Sequence, residues 1–165
     1  MRAVGRPGAR AIAWAAALGI VAAGAGLQAK HQASEQEIEA RIQTEANPTK
    51  KAKLEIQLAT LKLAEAEAAY DHDRFDEAPK LIGTYWGWMK RSWELLEKSG
   101  RDAVRKPQGF KDLDITLREN ARQLSDLDHR TPLADRVEIE QVAARIDALH
   151  GELGTHAVGV RFVAI

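Results

Sequence analysis

The sequence predicts an all-α fold: an antiparallel helical bundle of four main helices, with a weaker helix at the N-terminal side. Three observations carry that expectation. Apolar residues recur every three or four positions through four long segments, the repeat of one helical face. Asn, Pro and Gly punctuate the joins between those segments. Strand-like alternation is confined to the end of the chain, at Val158-Gly159-Val160-Arg161-Phe162-Val163.

Residues 30–46 read as a weak helix or linker. Ser34 and Glu37 have capping-box spacing, in which each side chain satisfies a backbone N–H of the first turn. Only Ile38, Ile42 and a few Ala supply an apolar side. The bundle domain is expected over residues 47–154. Asn47-Pro48 opens its first helix as N-cap plus first-turn proline, and that helix runs to about Asp73. Leu54, Leu58, Leu61 and Ala68 line one side, and Ile56, Leu63, Ala66 and Tyr70 nearly the opposite one. Two apolar stripes predict burial on two sides, as for a central helix.

After Asp71-His72-Asp73-Arg74, Asp76 caps the next helix, with Pro79 in its first turn and Gly100 past its end near Ser99. Ile82, Trp86, Met89, Trp93 and Leu96 form a seam at three-four spacing. Leu81, Tyr85, Trp88 and Leu95 lie beside it. The edge bearing Tyr85 and Trp88 is either open as a partner surface or covered by the later helices. A loop over residues 101–109 follows. Phe110, Leu113, Leu117, Ala121, Leu124 and Leu127 then mark a fourth helix, closed by Asp128-His129-Arg130. Thr131-Pro132 repeats the cap-plus-proline start, Ile139, Val142, Ile146, Leu149 and Leu153 form the last seam, and Gly154 ends it. Residues 155–165 are expected to be a flexible tail.

The first residues have the order of a secretory signal. Arg2, Arg6 and Arg10 precede the uncharged run from Ala11 to Ala23, and Leu27-Gln28-Ala29 offers a small-residue cleavage site before Lys30. Residues 1–29 are therefore expected to be a cleaved signal peptide and the product periplasmic or secreted. The alternative is an N-terminal anchor in the inner membrane. The chain has 24 basic and 24 acidic residues. Removing the three leader arginines leaves 21 against 24, a net of −3. That balance argues against general nucleic-acid binding, which needs a basic surplus. The sequence contains no Cys, so thiolate metal sites, covalent haem, Cys nucleophiles and disulfides are excluded for it.

No catalytic constellation emerges. His31, His72, His129, His150 and His156 show neither i, i+4 pairing nor a His-Glu-x-x-His pattern. Asp71-His72-Asp73 supplies one loop triplet, better read as a solvated turn than as a metal site. Glu35, Glu37, Glu39, Glu65, Glu67 and Asp135 read as solvated helix faces. Met89 stands at core spacing in a Trp-lined stripe, which favours a packing role over an axial ligand. No catalytic, metal-binding or cofactor-binding residue is assigned, and no cofactor is expected. The one local charge bias is the loop carrying Lys98, Arg101, Arg105, Lys106 and Lys111. Candidate partner-binding residues are accordingly Tyr85, Trp88, Arg101, Arg105 and Lys106.

The stretch from Ala69 to Ala78, with Tyr70, Phe75 and Ala78 at matching spacings, resembles the middle of a tetratricopeptide repeat. Asp73 stands where that family has a turn Gly, Pro79 where it has an apolar residue, and the 34-residue period has no second copy. The resemblance spans Pro48 to Ser99 and implies an antiparallel helix pair. Residues 105–119 are similar to a segment of uncharacterised exported helical bacterial proteins, which brings no activity with it. The resulting expectation is a non-enzymatic protein-interaction or scaffolding module of the cell envelope, its partner another envelope protein. The alternative is a small ligand- or cofactor-binding helical bundle. Membrane contact is expected only through the N-terminal segment before cleavage.

Overall fold

The computed structural model describes residues 34–157. The expected leader over residues 1–29 and the stretch from Val158 onward lie outside that range. Within it the fold is all-α, and the elements are α1 (residues 34–44), α2 (Pro48–Asp71), α3 (Ala78–Lys98), α4 (Phe110–Arg130), a 3₁₀ turn (Leu133–Asp135) and α5 (Val137–Ala157).

Local chemistry sets the ends of α2. The Asn47 side chain accepts hydrogen bonds from the Thr49 and Lys50 amides at 3.0 and 3.2 Å, and Pro48 fills the first turn. At the other end Asp73 adopts a left-handed φ of 56°. The Arg74 amide then reaches the Ala69 carbonyl at 2.8 Å and the Asp73 amide the Tyr70 carbonyl at 3.1 Å. This pair of bonds is the Schellman closure. Phe75 turns back onto Tyr70, with ring centroids 6.1 Å apart.

Three boundaries differ from the sequence expectation. Glu77, not Asp76, precedes the first turn of α3, and no side chain caps it. Thr131 closes α4 rather than opening α5: its hydroxyl donates to the Leu127 carbonyl at 2.7 Å, and the 3₁₀ turn delays α5 to Val137. At its far end α5 passes through Gly154 to Ala157, so the bundle extends beyond residue 154. Glycine at a helix end permits termination but does not impose it.

Consecutive helices are antiparallel, and the non-consecutive neighbours are parallel. Glu35 of α1 pairs with Lys62 of α2, while Ile42 packs with Leu54 and Leu58. Tyr85 and Trp93 of α3 meet Asn120 and Phe110 of α4 in reverse order. Lys53 and Asp71 of α2 meet Asp112 and Arg130 of α4 in the same order. Trp93 of α3 lies against His156 of α5, and Gly83 near Glu138. α3 therefore runs alongside α5, and α2 alongside α4, while α1 packs on α2. α2 is buried on two sides over its first half, where Leu54 and Leu58 face α1. Ile56, Ala59, Leu63, Ala66 and Tyr70 face the main core. On the first stripe, however, Leu61 is only half-buried and Ala68 is exposed, so that stripe is not covered to its end.

The main core is closed by strict seams. α4 buries Phe110, Leu113, Leu117, Asn120, Leu124 and Leu127, and α5 buries Ile139, Val142, Ile146, Leu149 and Leu153. The polar seam residue is Asn120; Ala121, expected in its place, is half-buried. Gly109 allows α4 to start where it does. Its φ is 88°, and a Cβ there would lie 2.6 Å from Leu96 Cδ2 and 3.0 Å from Thr49 Cγ2. The loop therefore passes against both α2 and α3 at a point that only glycine fits.

Candidate interaction surface

α3 carries three tryptophan side chains, and each meets a different environment. Trp93 is 5% exposed and packs edge-on against Phe110 at 6.2 Å and His156 at 5.1 Å. Trp86 and Trp88 are both half-buried. Two residues apart on a helix, they emerge about 160° apart. Trp86 therefore faces α5 and Trp88 faces α1 and α2.

The sequence expectation placed Trp86 in a buried seam; instead it lines an open furrow between α3 and α5. That furrow has a volume of about 330 Å³. Its apolar floor is Trp86, Trp93, Ala148 and Leu149, and its rim carries Lys90, Glu94, Glu97, Arg145 and Glu152. Glu94 is held between Lys90 at 3.9 Å and Lys98 at 3.4 Å. The seam position fails because the parallel approach of α5 covers Trp93 more completely than Trp86.

Tyr85 is not a surface residue. It is fully buried, and its phenol oxygen accepts a hydrogen bond from Asn120 Nδ2 at 3.1 Å. Burial pushes its ionisation well above the ordinary tyrosine range, with the Asn120 bond acting the other way. Its expected place in a partner surface is thus corrected: α4 crosses over this part of α3. Trp88 stays partly accessible, packing against both the main core and the Ile38, Ile42, Leu54 and Leu58 cluster.

Over the face of Trp88 lies the Arg91 guanidinium, 4.5 Å from the ring centroid. Its Nη2 is also 3.2 Å from Glu55 Oε1. Glu55 has no solvent exposure, whereas the Arg91 side chain is 56% exposed. Neither Glu55 oxygen receives a hydrogen bond, so the Arg91 contact is ionic and poorly aligned. Desolvation pushes the Glu55 carboxyl above its usual range; Arg91 and Lys51 oppose that, and Glu94 adds to it. Sequence reasoning missed this group, since a lone Glu between Leu54 and Ile56 carries no periodic signal of burial.

The basic loop does not join these aromatics. Trp88 lies ten residues before the end of α3, about 15 Å of helix rise. Arg105 is exposed and paired with Asp102 at 3.7 Å, and Lys106 is exposed. Arg101 is half-buried, with its Nε shielded and unbonded. The acidic residues expected on solvated faces include two that are largely covered: Glu35 and Glu65 both hold Lys62. Burial lowers the Lys62 pKa, but those two carboxylates outweigh it and leave the pKa raised. At the α2–α3 turn, Asp71 is engaged by Arg130 at 2.6 Å. Among the described residues no group of three or more His, Asp or Glu is placed to hold a metal ion, and no helix is long and apolar enough to cross a membrane.

No protein-family model matches this chain, and comparison with curated proteins and with solved structures gives no significant match.

Proposed function

We propose that this chain is a non-enzymatic protein-interaction module of the cell envelope, docking its partner along the face shared by α3 and α5. The observation that carries this reading is the furrow between α3 and α5, where Trp86 stands half-exposed among charges of both signs. A partly accessible Trp over an apolar floor, rimmed by polar groups, has the make-up of a protein-binding hot spot. The parallel packing of α3 beside α5 supports it further, because helix pairs stacked side by side present extended surfaces to partners. The export-like first residues supply the envelope part of the proposal.

The test is site-specific photo-crosslinking from position 90 or 97 in the native envelope, with mass spectrometry of the adduct. A discrete adduct that disappears in a folded Trp86→Ala variant supports the reading. Adducts unchanged by that substitution count against the furrow. A second reading, a small-ligand site, is favoured by the furrow volume, which falls at the lower end of the range for ligand pockets. A small molecule that co-purifies with the parent and is lost from Trp86→Ala would favour it.

A further inference from the structure

We propose that Trp88 and Glu55 form a recognition pocket for an arginine side chain of a partner protein, filled in the free protein by Arg91 as a built-in substitute. Trp88 offers a partly accessible π face. Glu55, in contact distance of the same guanidinium, offers a carboxylate removed from solvent. Together these are the two surfaces that a planar guanidinium engages at once, by stacking and by a forked pair of N–H donors. Arg91 already occupies that position, 4.5 Å from the ring centroid and 3.2 Å from Oε1. The geometry therefore accepts a guanidinium.

Arg91 fills the pocket imperfectly. It starts from the same helix as Trp88, three residues on, and comes within 3.2 Å of one carboxylate oxygen without making a hydrogen bond to either. A guanidinium arriving from solvent is not tethered to α3, so it escapes the alignment that the helix imposes on Arg91. Arg91 itself is more than half exposed, so it can give way to water once another guanidinium takes its place beside Glu55. Lysine fits less well, since an ammonium is a compact, strongly hydrated point charge that cannot stack as a plane. The occupant's class rests on the interaction-module reading, but the pocket is on the flank of α3 opposite Trp86. Loss of the Trp86 crosslink and loss of this binding are therefore separate results.

The experiment titrates the full chain with a blocked tri-arginine peptide, following the Trp88 indole N–H by NMR. Parallel titrations use Arg91→Ala, Glu55→Gln and a tri-lysine peptide, with melts confirming that each variant is folded. Saturable binding to the parent is expected. If Arg91 occupies the pocket about nine-tenths of the time, its removal should tighten binding roughly tenfold. Glu55→Gln should abolish the Trp88 shift, and tri-lysine should bind clearly more weakly. The proposal is overturned if the parent shows no saturable Trp88 shift, or if Glu55→Gln or tri-lysine gives the parent's response to tri-arginine.

Discussion

The side-chain amide of Asn120 donates to the phenol oxygen of Tyr85 at 3.1 Å, with Asn120 2% exposed and Tyr85 wholly buried. This polar pair lies across the α3–α4 contact, among residues that are otherwise apolar. A single polar residue in an apolar seam fixes the register of facing helices, because a slipped register would bury its amide without a partner.

Removing one member should therefore cost more than removing both. Tyr85→Phe alone deprives the Asn120 amide of its acceptor and should destabilise by about 1–3 kcal/mol. Asn120→Leu alone strands the phenol and should cost a similar amount, about 1–3 kcal/mol. The double variant should recover much of that loss, since no polar group is then left unmatched. Urea melts of the four proteins form the cycle. Strictly additive losses would show that the hydrogen bond contributes nothing beyond shape.

This pair also marks how far the sequence could be read. The seams of α4 and α5 were legible because Leu, Ile and Val repeat at three and four, and all the buried α5 positions follow from that spacing. The two-sided burial of α2 was legible for the same reason as far as Leu58, but the spacing also pointed to Ala68, which is exposed because the short α1 covers only the first part of α2. Asn120 was not: it occupies a seam position, but its polarity points the reading to Ala121 instead. Glu55 was hidden likewise, since nothing in a single helix shows which charged residue a neighbouring helix will cover. Whether Tyr85 and Trp86 face a core or a furrow depends on where α4 and α5 lie. Spacing along α3 alone could not place them.

Gly109 and Gly100 both have positive φ, but with different surroundings. A Cβ at Gly109 would meet Leu96 and Thr49, while one at Gly100 would meet nothing within 4 Å. Gly100→Ala should cost about 1–2 kcal/mol, the penalty of a left-handed conformation alone. Gly109→Ala adds steric strain and should cost a further ~1–3 kcal/mol. Thermal melts should rank Gly109→Ala clearly below Gly100→Ala. Equal midpoints would mean that the loop at Gly109 shifts freely.

The tryptophans of α3 should separate by burial. Trp93→Ala should cost about 3–5 kcal/mol, the usual range for emptying a buried aromatic site. Trp86 and Trp88 keep part of their surface in water, so each should lose clearly less on truncation. For Trp86 the change should appear in partner capture more than in stability. Denaturant midpoints of the three variants provide the check, and a Trp88→Ala loss equal to that of Trp93→Ala would identify Trp88 as ordinary core.

Glu55 should make stability fall as pH rises through the acidic range. Desolvation raises its folded-state pKa above the unfolded value near 4.5. The native state therefore holds the proton more tightly, and unfolding releases it. For such an acid the favourable contribution is present in full below the unfolded pKa and is lost as pH climbs through the folded one. Glu55→Gln keeps the shape and removes the ionisation. The melting temperature of Glu55→Gln relative to the parent should then increase from pH 4 to pH 7. Arg91→Ala should act in the opposite sense. It withdraws the opposing cation and should cost roughly 1–2 kcal/mol at pH 7, reduced from the fully buried case because the arginine is more than half exposed. That loss should shrink near pH 4, where the carboxyl is neutral. Differences that stay constant across this range would mean that Glu55 is not the titrating group and that Arg91 acts through its packing on Trp88.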